Sequence, residues 1–316
     1  MRNVFIAVTA VLLLAAGCQK SGNLNYIFAT GGTSGTYYSF GGSIASIWNA
    51  NINGMNVTAQ STGASAENLR LLNRHEADLA FVQNDVIDYA YNGTDIFAGE
   101  VLTNFSAMLT LYPEIVQIAA TKSSAIKTIS DMKGKRVSVG DAGSGVEFNA
   151  KQILEAYGLT FNDINKSNLS FKESSDGLQN GTLDACFIVA GMPNAALQEL
   201  SLSSDIVLVS LDKIPVDEML HKYKYYTEIT IPANTYSKID TDTRAIAVKA
   251  TIVVNNNIPE NIVYNLMKTL FDKKSDLAAA HAKGEELNIE DSYKGISIPF
   301  HPGALKYYQE LGYNIE

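Results

Sequence analysis

One short pattern occurs twice in this 316-residue chain, and a duplicated building block limits the fold more than any composition figure. The first copy runs Leu72-Asn73-Arg74-His75-Glu76-Ala77-Asp78-Leu79-Ala80-Phe81-Val82. The second runs Leu178-Gln179-Asn180-Gly181-Thr182-Leu183-Asp184-Ala185-Cys186-Phe187-Ile188. In both, Leu precedes Asp by six residues, and small, aromatic and β-branched residues follow. This reads as a helix end, a turn and a short buried strand. Upstream of each copy a Ser-Gly pair opens a helix, Ser34-Gly35 in one half and Ser144-Gly145 in the other. Two similar βα halves with Gly-rich strand-to-helix turns predict two lobes facing each other across a central cleft. In such open α/β sheets, ligands sit at the carboxyl ends of the strands.

Strands alternating with helices along the rest of the chain predict mainly parallel sheets. Residues 105–111 and 115–121 read as two apolar strands separated by Tyr112-Pro113-Glu114, the crossing between lobes. Return is expected near 229–236. One lobe then comprises residues 25–115 and 229–316, and the other 116–228. At this length each lobe can bury its own core.

The N-terminus reads as an address. Residues 1–17 carry one positive charge and an apolar run of signal-peptide length, too short to span a membrane stably. The run ends in Leu14-Ala15-Ala16-Gly17-Cys18, similar to a bacterial lipobox, so Cys18 is the expected lipidation site and 18–24 a short polar tether. An ordinary signal peptide with an incidental Cys is the other reading. Lipidation would make the chain an extracytoplasmic protein held at a membrane through its anchor alone. It would leave Cys186 without a partner for an intramolecular disulfide. Cys186 aligns with Ala80 in the repeat and reads as a small buried strand residue.

A net charge of −9 argues against nucleic acid or an anionic membrane surface as partner, since both require basic patches. His75, His221, His281 and His301 are scattered, with no metal-ligand spacing. No nucleophile elbow, phosphate-binding loop or dinucleotide fingerprint occurs. Catalytic, metal and cofactor sites are therefore not expected, and the chain reads as a binding protein rather than an enzyme.

Candidate ligand contacts lie on the turns. In the first lobe they are Thr33, Gly35 and Tyr37, then Thr62, Gly63, Ala64 and Ser65, then Gln83, Asn84 and Asp85. In the second lobe they are Gly143, Ser144, Gly145, Val146 and Gly191. Backbone N–H groups at helix starts attract carboxylates, with roughly 0.3–1 kcal/mol from the helix dipole at each terminus. Ser65 and Gly145 are the expected carboxylate donors, and Tyr37 is expected to pack on the ligand. Asp85 and Asp141 are candidates for a ligand ammonium. Glu147 has the spacing of a capping box and is expected to fold back on its own helix. These loops contain no Lys or Arg.

Several collinear segments resemble the TAXI family, the solute receptors of a subset of TRAP secondary transporters. They are Gly31-Gly32-Thr33-Ser34-Gly35-Thr36-Tyr37-Tyr38, Val57-Thr58-Ala59-Gln60-Ser61-Thr62-Gly63-Ala64-Ser65, residues 78–85 and Leu111-Tyr112-Pro113-Glu114. Residues 140–147 and 152–159, Ala190-Gly191-Met192-Pro193 and His301-Pro302-Gly303-Ala304 continue the match almost to the C-terminus. The resemblance implies a type II periplasmic-binding fold that closes on a small carboxylate or amino acid, glutamate or similar. It implies delivery to integral-membrane TRAP subunits driven by an ion gradient. Ser34 stands where Gly is common in the family, and Met192 where Thr is frequent. Asp141-Ala142 replaces the more usual Ala-Pro and adds a negative charge beside the implied carboxylate site. A ligand-sensing receptor or an enzyme on the same two-lobed scaffold is the alternative, since fold does not fix function.

Overall fold

The computed structural model describes residues 24–315. The expected signal peptide, Cys18 and the tether up to residue 23 lie outside the described residues. The chain runs β1 (Leu24–Ala29), α1 (Thr36–Asn51), β2 (Met55–Gln60), α2 (Ser65–Asn73), β3 (Leu79–Gln83), α3 (Asn84–Asn92) and β4 (Phe105–Thr121). It continues with β5 (Arg136–Ser138), α4 (Gly145–Ala156), β6 (Asn165–Ser167), α5 (Phe171–Gln179), β7 (Ala185–Ala190), α6 (Ala195–Ser203) and β8 (Ile206–Leu208). Then follow α7 (Lys213–Lys222), β9 (Thr227–Ile231), β10 (Thr243–Asn255), α8 (Glu260–Asp272), α9 (Lys274–Ala280) and α10 (Pro302–Glu310). No described helix is long and apolar enough to cross a membrane.

The α/β fold has the two expected halves, β1-α1-β2-α2-β3 and β5-α4-β6-α5-β7. In each, the first strand pairs in parallel with the other two. The sheets are less parallel than the sequence suggests, because β4 and β10 cross between the lobes and pair antiparallel with their neighbours. The strand order β2-β1-β3-β10-β4-β7-β5-β6 is continuous, with β9 on β10 and β8 on β4.

Residues 105–121 form one strand, not two. Pro113 lacks an N–H to give, yet it stays in register opposite Lys249 because the ladder is irregular between Lys249 and Thr251. The hydrophobic clusters locate the crossing. Leu111 and Tyr112 pack in the first-lobe core, whereas Ile115, Val116 and Ile118 pack in the second. On β10, Ile246, Ala247 and Val248 belong to the second lobe, and Ala250 and Ile252 to the first. The paired residues Pro113 and Lys249 lie where both strands pass from one set of clusters to the other. Ile231, Tyr236 and Ile239 pack with the second-lobe cluster, so the chain returns to the first lobe within β10, later than the expected residue 229. β9 is largely exposed, with Ile231 its buried residue, so its own sequence does not declare which core it joins.

The repeat has a common structural role. Asp78 accepts from the Ile27 N–H at 2.8 Å and gives its own N–H to the Ile27 carbonyl at 3.0 Å. Asp184 does the same with Arg136, at 2.8 and 2.9 Å. Each Asp thereby sets the start of one parallel strand against another. Cys186 is fully buried in β7, and burial pushes its thiol up to about 12.

A candidate ligand cavity between the lobes

Where the two lobes meet, the strand ends and helix starts enclose a cavity of about 50 Å³, against the roughly 10–15 Å³ that one water requires. Gly31, Gly35, Tyr37, Ala64, Ser65, Gln83 and Glu114 line it from the first lobe and the crossing strand β4. Asp141, Ser144, Gly145, Val146, Phe171 and Val189 line it from the second. A groove of about 500 Å³ opens beside it past Ser34 and Gly35, between Thr33, Ser39 and Lys283 on one side and Met192, Asn194 and Gln198 on the other.

The helix starts differ. Gly35 and Ala64 hold the capping positions just before α1 and α2, and neither residue offers a side-chain cap. Ala64 sits at φ 69°, a left-handed conformation that turns the chain abruptly into α2. α4 is capped by Ser144 and α5 by Ser170, whose hydroxyls accept from the N–H groups of Glu147 and Glu173. Glu147 does fold back on its own helix start, but it takes the Gly143 N–H at 2.7 Å and pairs with Lys166 at 2.7 Å.

Gln83 and Glu114 carry the polar floor. The Gln83 side-chain oxygen is buried and has no hydrogen-bond partner. It lies so close to Gly145 that a Cβ there would stand 1.7 Å from it. Glu114 is fully buried and accepts from the Tyr37 hydroxyl at 2.5 Å. Burial pushes its carboxyl up to about 8. The Tyr37 ring stacks on Phe81 at 4.6 Å.

Of the expected contacts, Gly35, Tyr37, Ala64, Ser65, Gln83, Ser144, Gly145 and Val146 come together around this cavity. The others lie elsewhere. Thr33 faces the outer groove. Thr62 bonds to Thr30 and Asn68, and the Gly63 N–H goes to Glu67. Asn84 ties the Gly295 carbonyl and the Lys249 N–H together. Asp85 meets the second lobe outside the cavity, through Asn149. The Gly143 N–H is taken by Glu147, and Gly191 packs against Thr36 and Lys283. Arg70 and Lys151 point away, to Glu100 and Asp95. His301 is buried and caps α10 through its ring nitrogen.

Glu114, Phe171, Val189 and Lys283 were missed. Glu114 had a readable signal, the one charged residue in the run 105–121. Lys283 had none, because only the tertiary fold brings its ammonium to the Met192 carbonyl, 2.9 Å away across the groove.

Among the described residues no cluster of His, Cys, Asp or Glu is arranged to hold a metal ion. The fold is shared with the alkanesulfonate-binding protein SsuA of Xanthomonas axonopodis pv. citri, solved with MOPS, at 14% identity and a TM-score of 0.54. That match covers 84% of this chain and 79% of the other. It is shared also with PhnD1 of Prochlorococcus marinus, solved with methylphosphonate, at 10% identity and a TM-score of 0.55, over 92% and 99% of the two chains. These likenesses establish the periplasmic-binding type of architecture. The NMT1-like family model matches residues 28–312, almost the whole of the described chain, and the protein belongs to that family.

Proposed function

We propose that this protein is an extracytoplasmic solute receptor that captures a small carboxylate or amino acid between its lobes, with glutamate or a close analogue as the first candidate. The observation that carries this reading is the interlobe cavity, which joins two uncapped helix starts on one side to a lone buried acceptor, Gln83, on its floor. Uncapped N–H groups suit a carboxylate. Gln83 and Glu114 are acceptors suited to an ammonium, so the cavity matches the two ends of a zwitterion. The two solved proteins of this fold hold a sulfonate buffer and a phosphonate, both small anions. The collinear motifs from Gly31 to Ala304 favour delivery to a TRAP-type, ion-gradient-driven membrane transporter, with Cys18 as the lipid anchor. Mass spectrometry of solute released from purified, denatured protein, followed by calorimetric titration with L-glutamate, tests the reading. A released amino acid or small carboxylate is expected. No released solute together with no heat from L-glutamate would overturn the ligand class.

A further inference from the structure

Away from the cavity, a second set of contacts holds the lobes together. Asp85 on α3 is fully buried, and its Oδ2 accepts from Asn149 Nδ2 on α4 at 2.9 Å. Asn149 gives its other amide hydrogen to the Tyr226 hydroxyl at 2.8 Å. That hydroxyl donates to Gln152 Oε1 at 2.7 Å, and Gln152 Nε2 donates to the Tyr89 hydroxyl at 2.6 Å. Tyr89 and Tyr225 share a short hydrogen bond. Every amide hydrogen in this chain is committed. Two oxygens are left over, Asp85 Oδ1 and Asn149 Oδ1, both buried and both without a partner.

Buried polar atoms are seldom left unpaired. Here the two orphans belong to residues already joined by one hydrogen bond, and both lack the same thing, a donor. One hydrogen placed on the Asp85 carboxyl serves both. It turns a single contact into the reciprocal pair that a carboxylic acid forms with a primary amide, each partner donating once and accepting once.

We propose that lobe closure takes up a proton at this pair, so that Asp85 is a neutral acid in the closed protein and donates to Asn149 Oδ1. The proposal rests on the reading of the chain as a receptor that opens and closes, and it extends that reading to how closure is controlled. The surroundings favour the neutral form. Asp88 and Tyr89 face the carboxyl from its own helix, Asn149 and Gln152 from α4, and Tyr225 and Tyr226 from the segment before β9. Glu114 and Tyr37 stand on the cavity side. No Lys or Arg among the described residues bonds to it, and the Lys249 ammonium is turned to the Lys294 carbonyl. Burial pushes the carboxyl up to about 7 against the pull of Asn149 and the first N–H groups of α3. With the lobes apart, a water-exposed Asp returns to roughly 4. The closed form therefore binds a proton that the open form lacks, and closure strengthens as pH falls through 7. The gain approaches tenfold per pH unit, up to about a hundredfold between pH 8 and pH 5.

Small-angle scattering of the full chain at pH 5 and pH 8, with and without L-glutamate, tests this. Glutamate keeps most of its side-chain charge over that range, since the side chain ionises near pH ~4.3 and only about a sixth of it is protonated at pH 5. Wild type is expected to be more compact at pH 5. Asp85→Asn supplies the donor at every pH and is expected to respond to pH less steeply than wild type, keeping only the response that Glu114 gives. Glu114 remains in that variant, so the difference between the two profiles belongs to Asp85. Infrared spectroscopy gives an independent readout. In Glu114→Gln at pH 6, the closed protein should retain one neutral-acid carbonyl band, which Asp85→Asn together with Glu114→Gln removes. A wild-type profile unchanged by pH, the same pH response in Asp85→Asn, or no acid band in Glu114→Gln overturns the proposal. Compaction by glutamate alone would leave the receptor reading standing without the proton site. Compaction by acid alone would leave the proton site and remove glutamate as the solute.

Discussion

The two lobes are built from the same βαβαβ unit, yet their helix starts are finished differently. In the first lobe, Gly35 and Ala64 hold the capping positions just before α1 and α2 and supply no side-chain cap. In the second, Ser144 and Ser170 close off α4 and α5 with their own hydroxyls. Four N–H groups at the start of any helix need partners from outside the helix. The second lobe gives each helix a cap hydroxyl, whereas the first meets the N–H groups of Gly35 and Ala64 from within their own turns and supplies no cap. On the proposed reading the first lobe is the side that takes the anion. The second acts by approach, bringing Gly145 against Gln83.

Bulk at Gly145 breaks that division of labour most directly. A Cβ at this position would stand 1.7 Å from the Gln83 oxygen, so either the buried Gln83 amide must swing aside or the lobes must part. Overpacking of this kind costs about 1–3 kcal/mol, so Gly145→Ala should weaken L-glutamate binding roughly 5- to 150-fold. At Gly35 the nearest atom to an added Cβ is the Gly32 carbonyl oxygen at 3.2 Å, within the same turn, and Gly35→Ala should lose less. Calorimetry on both variants, with thermal melts as the folding control, makes the comparison. Equal losses at the two glycines would mean that close approach by the second lobe has no special part in binding.

The division of labour was only partly legible in the sequence. The repeat announced two lobes, and the polar run after Val82 pointed to Gln83, because polar residues at the end of a buried strand meet whatever the sheet faces. Asp85 follows the same local rule and ends elsewhere, on Asn149, since α3 starts at once and rotates it out of the cavity. Proline suggested a break in 105–121, but a ladder irregularity absorbs it, and register is a property of the partner strand that one strand cannot display. Phe171 was invisible for another reason. Its place at the cavity comes from its ring lying beside Gly35 of the other lobe, which no local pattern encodes.

The caps sharpen the comparison at a smaller scale. Replacing a capping serine by alanine typically removes about 1 kcal/mol of stability. Ser144→Ala and Ser170→Ala should each lower the thermal midpoint by a few degrees at most while leaving L-glutamate affinity close to wild type. A loss of affinity without a loss of stability in Ser144→Ala would show that this hydroxyl serves the solute and not the helix.

A difference in pH response separates the two copies of the repeat. Asp78 and Asp184 exchange the same pair of backbone hydrogen bonds with Ile27 and Arg136, and removal of either carboxylate should cost about 1–2 kcal/mol. The copies differ in what else touches them. Asp184 also takes two bonds from the Arg136 guanidinium, at 3.1 and 2.7 Å, which hold its carboxyl below the usual range. Asp78 has no such partner, and burial holds its carboxyl above that range. Signs follow from linkage. Asp184 contributes stability that is present above its unfolded value and lost as pH falls through its folded one. Asp78 opposes folding once pH rises far enough to charge it. The Asp184→Ala penalty should therefore shrink as the medium is acidified towards pH ~3, whereas the Asp78→Ala penalty should hold or grow. Because the guanidinium is exposed, Arg136→Ala should shift the melt far less than Asp184→Ala. If Arg136→Ala costs as much as Asp184→Ala, the second copy is held by its ion pair, and the repeat would have kept its pattern while changing the interaction that gives the pattern its purpose.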